Sequence, residues 1–416
     1  MLGWLVPLAY SLSIGSIEFD TATGATAGAR AQVLQEGTPV YHWLIGTCYV
    51  ISTVLLVRRR IAFWRLPMLT ILPLGLVLLA GVSGLWSEAP AITLRRSIAL
   101  AGTTVLAFHL GWTCTWSRLS RLLGVALGLA GATSILASLL FPDWAVHHGA
   151  NHDGDWRGLF LQKNSAGAAM VLALLVAAAN LATAWPQRRN WGLFLAALAL
   201  LGVVGSGSRT AWFLSLLVVT LAVWVALLRF RQLAAHIVVL ISSLALLSAV
   251  VVVVDIFAST AKPEDVRILG RDLTATGRYT LWTAMWPYIA DQPLAGYGFK
   301  GFWTGTGPCL ELWNTLGWQA ANGHSSWVDV LLELGALGLA MVLGLVLAFV
   351  SLLLRCWRRL GPGQAMWILG VLALVIIQGL SDTTLIEPNG PLWTLTLAAF
   401  FHLLRQQAAP SPATVA

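Results

Sequence analysis

Three basic side chains in this sequence stand where an apolar helix is about to begin. Lys163 opens KNSAGAAMVLALL, Arg209 follows the turn-forming GSGS, and Arg278 follows Thr276–Gly277 and leads into YTLWTAMWPYIA. The first turn of a helix carries unpaired N–H groups and the positive end of the helix dipole, so it already favours an anion. Asn164 and Ser208 are of the residue types that cap such ends. A lysine or arginine added there makes a phosphate cradle. Three of them, with Arg157 shortly before Lys163, point to a ligand that carries phosphate. A plainer account competes for any one of these cations: it pairs with an acid such as Asp153, Asp155 or Asp272, or reaches towards lipid headgroups.

Proton transfer needs a further group, and His324 is the candidate. It sits in ANGHSSWVDVLLELGALG, where Asn322 and Gly323 break the chain and Ser325 starts a long apolar helix, with Asp329 and Glu333 following at i+4 intervals. The dipole at a helix N-terminus disfavours the imidazolium, so such a histidine is held neutral near pH 7, as a general base must be. The alternative is that His324 only caps the helix. His147, His148 and His152, with Asp153 and Asp155, form another polar group, but their spacing matches no zinc pattern. No acidic pair of metal-ligand spacing lies beside the cations, so chemistry without a metal or cofactor is expected.

These residues need a scaffold, and composition names its kind. The chain has 416 residues, 58% hydrophobic and only 10% charged, with mean hydropathy +0.78. Soluble domains carry about 25% charged residues, so a soluble enzyme, a nucleic-acid-binding protein and a disordered chain are excluded. Apolar runs of the roughly 20 residues that a spanning helix needs recur from end to end. The expected fold is an all-α polytopic membrane protein, a single domain over 1–416. Its predicted spans, about twelve, are 2–17, 39–57, 67–86, 92–113, 119–141, 164–184, 191–206, 210–228, 233–256, 325–354, 365–381 and 389–404. A long loop, 257–323, separates the ninth span from the tenth. Its aromatic content predicts short amphipathic helices lying on the membrane surface. Leu281, Trp282, Met285, Trp286 and Ile289 fall at helical spacing there, on one face.

Charge sets the orientation. With a cytoplasmic N-terminus and strict alternation, the inner loops hold Arg58, Arg59, Arg60, Arg65, Arg118, Arg121, Arg188, Arg189, Arg229, Arg231, Arg355, Arg358, Arg359 and Arg405, and no acid. The outer loops hold acids such as Glu36, Glu88, Asp143, Asp155 and Asp272. This is the positive-inside rule, so the net charge of +8 is a topology signal and not a nucleic-acid signal. Both termini are expected in the cytoplasm, and Lys163, Arg209, Arg278 and His324 on the opposite, periplasmic face. Arg95 and Arg96, adjacent near the outer end of the fourth span, cannot both face one way.

The run HSSWVDVLLELGALG, preceded by TGRYTLWTAMWPYIADQPLAGYGF, resembles the signature region of the O-antigen ligase-like membrane proteins. In that family a TGR–W segment precedes a GxG turn, then a histidine, an apolar helix and Glu-x-Gly-x-x-Gly. The matching residues here are Thr276, Gly277, Arg278, Trp282, Gly296, Gly298, His324, Glu333, Gly335 and Gly338. GLFLQKNSAG and SGSRTAW resemble two further family elements, so the likeness spans roughly 155–390, while the first third of the chain matches only in hydropathy. Many members have Asn after the histidine, where this chain has Ser325.

The resemblance implies a C-type glycosyltransferase in the inner membrane. It implies an undecaprenyl-pyrophosphate-linked glycan as donor and the lipid A–core oligosaccharide as acceptor. Arg278, Arg209, Lys163 and Arg157 would hold the pyrophosphate, His324 would be the base, and Asn164, Ser325 and Glu333 would support them. The residues themselves agree in one respect: an anion site outside the cell has no ATP, so the energy for bond formation must arrive in the substrate. An O-antigen polymerase or a protein O-oligosaccharyltransferase would use the same donor. A transporter of lipid or sugar phosphates is the rival from another class. Transporters place charge near the bilayer midplane and often show internal repeats, whereas here the cations lie at helix ends and no repeat is seen.

Overall fold

The computed structural model describes residues 39–60, 67–148, 154–160, 162–183, 186–227, 267–268, 271–272 and 278–408. The predicted spans 2–17 and 233–256 lie outside the described residues, as do Thr276, Gly277, His152 and Asp153. Every other predicted span coincides with a helix. These are α1 (Pro39–Arg58), α2 (Ile71–Val82, flanked by 3-10 turns), α3 (Pro90–Thr113), α4 (Trp116–Leu140), α6 (Lys163–Leu181), α7 (Pro186–Ser206), α8 (Arg209–Leu227), α11 (Ser326–Cys356), α12 (Pro362–Gln378) and α13 (Pro391–Ala408). A short α5 (Pro142–Ala145) follows α4, and the long loop carries α9 (Arg278–Asp291) and α10 (Gly307–Leu316).

Two expectations are amended. Among the described residues the fold is helical except for a two-residue antiparallel pair, β1 (Arg267–Ile268) with β2 (Arg271–Asp272), and an isolated bridge between Val146 and Trp156. Among the described residues, seven helices are long and apolar enough to cross a membrane, fewer than the twelve spans expected, and α1 and α12 give shorter apolar helices. His402, Arg405, Gln406 and Gln407 make the last turns of α13 polar. The chain is a multi-pass membrane protein.

Between lipid-immersed helices the hydrophobic effect gives no drive to associate, so close backbone approach over small residues does the packing. A Cβ placed on Gly111 of α3 would stand 2.2 Å from the Ala398 carbonyl oxygen of α13, and one on Gly370 of α12 would stand 2.1 Å from Leu175 of α6. The same contacts show which ends meet. Gly363, at the start of α12, faces Ala179 and Thr183 at the end of α6 and Trp116 at the start of α4. Arg405 donates to the Trp112 carbonyl, and Arg359 to that of Gln406. One end of the bundle therefore gathers Trp112, Trp116, Thr183, Arg359, Gly363 and Arg405. The starts of α6 and α11 and the end of α12 lie at the other.

At that second end the long helix α11 is broken. Gly335 has φ 63° and ψ −164°, a conformation essentially reserved for glycine. The main-chain groups released by the break are taken up by the segment after α9. Ala336 N–H donates to Pro293 O and Leu337 N–H to Leu294 O, while Tyr297 N–H donates to Leu332 O and Gly298 N–H to Glu333 O. Irregular backbone beside spanning helices is tolerated where protein supplies its hydrogen bonds, and here each strand of the break supplies the other. Gly298 and Gly301 then pack on Ser87, and Phe299 N–H donates to Ser83 Oγ.

Candidate active site

Two polar clusters form at this end. The first joins the starts of α6 and α8. Gly167 allows it: a Cβ there would lie 2.7 Å from that of Ala211 and 3.1 Å from Ser206 Oγ and Ser208 Cβ, so no side chain separates the two helices. Lys163 and Arg209 are each the first residue of their helix. Ser208 caps α8, its Oγ accepting the Ala211 N–H at 3.4 Å. Asn164 does not cap α6, because the N-cap lies two residues earlier, at Gln162. Its Oδ1 instead accepts the Ser208 hydroxyl at 2.9 Å, tying the two helix starts together.

The cations of this cluster are already engaged. Lys163 Nζ pairs with Asp155 Oδ2 at 2.5 Å. Asp155 in turn packs so tightly on Gly207 (φ 57°) that a Cβ there would lie 2.0 Å from its Oδ1. Arg157 donates from Nε and Nη2 to the Trp144 carbonyl, at 3.0 and 2.5 Å, and lies 5.9 Å from the Trp144 ring centroid. It lines a small crevice with Ser134, Ser138, Trp156 and Met170, apart from His324 and Arg278. Arg209 is exposed at the mouth of the cluster. His147 Nε2 accepts the Lys163 N–H at 3.3 Å.

The second cluster surrounds His324. The histidine is half-buried in the left-handed region, φ 50°, and its N–H donates to Asn322 Oδ1 at 2.9 Å. Strain of this kind costs about 1–3 kcal/mol and persists where the surroundings impose it. Here they do. Gly323 N–H donates to Asp329 Oδ1 at 2.8 Å, and Gly323 O accepts the Trp282 indole N–H at 2.7 Å. The buried Asp329 also accepts from Trp303 Nε1 and Thr383 Oγ1, so it organises the loop and is not a free base. Ser325 stands at the N-cap of α11 but its hydroxyl turns to Gly379 O at 3.3 Å.

Arg278 opens α9, and its Nη2 donates to Ser381 O at 2.9 Å. That places Arg278 and Asp382 in the electrostatic surroundings of His324. Burial first, then Arg278, lowers the histidine's pKa from its ordinary value, and Asp382 opposes them. Burial raises the Asp382 pKa, against the pull of the Thr383 N–H, His324 and Arg278. The arrangement is an imidazole whose neutral form is favoured, with a guanidinium and a carboxyl group in its electrostatic surroundings. α9 packs inward through Leu281, Met285 and Ile289, while Trp282 is half-buried and Trp286 is exposed, so the apolar face is narrower than the sequence spacing suggested.

Below this cluster, Glu333 is buried just before the break in α11. Its Oε2 accepts the Lys300 N–H at 3.1 Å, and Lys300 Nζ lies 3.9 Å from its Oε1 and 2.9 Å from Glu387 Oε2. Glu333 is therefore a partner of Lys300, not a contact of His324.

Residues 194–343 match the family described as O-antigen ligase. Over this stretch the chain is similar to the O-antigen ligases. The match takes in Arg209, Arg278, His324, Glu333 and the broken helix, but stops short of the expected 155–390: Arg157, Lys163 and Asn164 precede it, and Asp382 follows it. The exopolysaccharide production protein ExoQ of Rhizobium meliloti (strain 1021) is 26% identical over 317 residues, covering 73% of this chain and 70% of that protein. Together the two similarities support a ligase- or polymerase-like function on glycans. Asp382, Lys300 and Glu387 did not stand out as site residues in the sequence. The signal was present in SDTTLIEPNG, where two acids lie in a short loop between two apolar spans, on the side predicted for His324.

Proposed function

We propose that this protein is a glycosyltransferase that moves a glycan from undecaprenyl pyrophosphate to a hydroxyl of the lipid A–core oligosaccharide, on the periplasmic face of the inner membrane. The observation that carries the reading is the juxtaposition of a neutral-leaning His324 with Arg278 and Asp382 at the end of the bundle opposite Arg359 and Arg405. The donor enters between helices. Arg278 has five guanidinium donors, of which the Ser381 carbonyl takes one. The others meet the pyrophosphate and stabilise the charge that grows on it. Arg209 supports the same anion from the start of α8, with Lys163 behind it, while Arg157 is held by Trp144.

The acceptor hydroxyl attacks the anomeric carbon from the face opposite the pyrophosphate. A new carbon–oxygen bond forms as the glycosyl–phosphate bond breaks, and the hydroxyl proton passes to His324. The bonding electrons leave with undecaprenyl pyrophosphate. Asp382 stabilises the imidazolium until its proton is released to water. A single displacement inverts the anomeric configuration, and no step uses a metal.

A second reading, polymerisation of lipid-linked repeats, is favoured by the similarity to a protein named for exopolysaccharide production. One experiment separates them. Purified protein is incubated in EDTA with a lipid-linked glycan and either lipid A–core or a second lipid-linked glycan. Glycan found on lipid A–core supports the ligase, elongated lipid-linked chains support the polymerase, and loss of activity that magnesium restores contradicts the metal-free displacement.

A further inference from the structure

Lys300 belongs to neither anion cluster, yet it is an enclosed cation, its side chain only 17% exposed. Its backbone has φ 54°, which an L-residue adopts only under constraint. The two carboxylates it bridges sit on different segments. Glu333 is on α11, two turns below the N-cap next to His324. Glu387 is on the loop 379–390, five residues after Asp382. The first half of that loop is tied through the Ser326 N–H to the Gly379 and Asp382 carbonyls, the Ser326 hydroxyl to the Asp382 carbonyl, Arg278 to the Ser381 carbonyl and the Thr383 hydroxyl to Asp329. The Thr384 and Leu385 N–H groups donate to Ser326 Oγ, and the loop's end is held by the Asn389 N–H on Thr103 Oγ1. Ile386 and Asn389, on either side of Glu387, are also left-handed, φ 49° and 65°. A loop held in so strained a form needs restraint, and the only ion pair of the loop among the described residues is that of Glu387 with Lys300. Enclosed ion pairs contribute little to stability compared with apolar packing; their best-attested use is to select one arrangement.

We propose that Lys300 is a positioning residue: by bridging Glu333 of the broken helix and Glu387 of the loop, it fixes where that loop presents Asp382 to His324. The proposal rests on His324 being the base. The charged groups around His324 are Arg278 from α9, Asp382 from the loop and Asp329 from α11, and Lys300 acts on it through the second of these.

The test is the pH dependence of kcat and the donor KM, measured on the purified full-length protein with a lipid-linked glycan donor. The variants are Lys300→Met, Glu387→Gln, Lys300→Arg, Asp382→Asn and His324→Ala. A misplacement of about 1 Å at a catalytic group costs about 10²-fold. Lys300→Met and Glu387→Gln are expected to lose about that much kcat, with the donor KM within about twofold. Their rising pH limb moves to lower pH, as in Asp382→Asn, because a displaced carboxylate no longer strengthens the histidine's hold on its proton. Lys300→Arg recovers most of the rate. Wild-type kcat in both bridging variants overturns the proposal. So does a fall in kcat with the limb unmoved, or a donor KM that rises in step. If Lys300→Met does not fold, Glu387→Gln decides by the same readouts, since it leaves the lysine its Glu333 partner. Loss of the limb in His324→Ala with no movement in the bridging variants overturns this inference alone, whereas a limb retained in His324→Ala overturns the base assignment beneath it.

Discussion

Replacing Gly335 by alanine tests whether the break in α11 is built in or incidental. Two penalties add at this position. Its φ of 63° and ψ of −164° fall in a region that costs a non-glycine residue about 1–3 kcal/mol. A Cβ would also stand 2.3 Å from Leu294 C and O and 2.6 Å from Ala295 N, all main-chain atoms that no rotamer change can clear. The escape is for the segment 293–298 to move off and for α11 to straighten. That releases the hydrogen bonds of Ala336, Leu337, Tyr297 and Gly298 to the facing strands, each worth about 0.5–1.5 kcal/mol net. The healed helix regains part of this, which leaves about 3 kcal/mol, or about two orders of magnitude in population of the broken form. Glu333 then loses its register with Lys300, and the loop carrying His324 loses a neighbour. Thermal unfolding of the detergent-purified variant, followed by tryptophan fluorescence, should show a lowered Tm, and glycan transfer should fall about 10²-fold at equal protein. A Gly335→Ala protein with unchanged Tm and transfer would refute the argument that the break positions the site.

Substitutions at Arg278 and at the Lys163–Asp155 pair address the two clusters. Arg278→Ala should lower kcat by about 10²–10³-fold, the usual loss when one donor to a developing anion is removed, and Arg278→Lys should recover only part, since an ammonium cannot hold two phosphate oxygens as a guanidinium does; wild-type transfer by a well-expressed alanine variant removes Arg278 from the site. Lys163→Met leaves Asp155 unpaired against the Gly207 turn and should reduce transfer, while Lys163→Met combined with Asp155→Asn should restore most of it; a double variant as impaired as the single would make Lys163 a direct phosphate ligand, with its Asp155 pairing secondary.

The parts of this protein that were legible in its sequence are those set by local rules. Apolar runs and arginine placement located the helices and separated their two ends, because lipid and backbone hydrogen bonding leave few alternatives. Lys163, Arg209 and Arg278 were expected at helix starts and each occupies the first position of its helix. What sequence spacing could not supply was partnership. For Lys163 the sequence offered several acids, Asp153, Asp155 and Asp272, without choosing among them, and the fold selects Asp155, eight residues earlier. Glu333 looks like a neighbour of His324 at helical spacing, yet Lys300 takes it. Asp382 lies 58 residues after His324 and reaches it only because α12 returns antiparallel to the same end. The discontinuity at Gly335 was hidden within an unbroken apolar run, since glycine in such a run reads equally well as a packing contact.

The central claim, that His324 is the general base, is tested most directly by the pH–rate profile of His324→Ala beside the wild type. The wild-type limb should rise below the ordinary histidine range, because burial and Arg278 together lower the pKa more than Asp382 raises it. The account predicts that the variant loses about 10²–10⁴ of the rate and the limb with it, while donor binding and Tm stay at wild-type values because Arg278 and the Asp329-centred contacts remain. Near-normal transfer with the limb intact, or loss of donor binding in proportion to activity, would contradict it and make His324 a capping or binding residue.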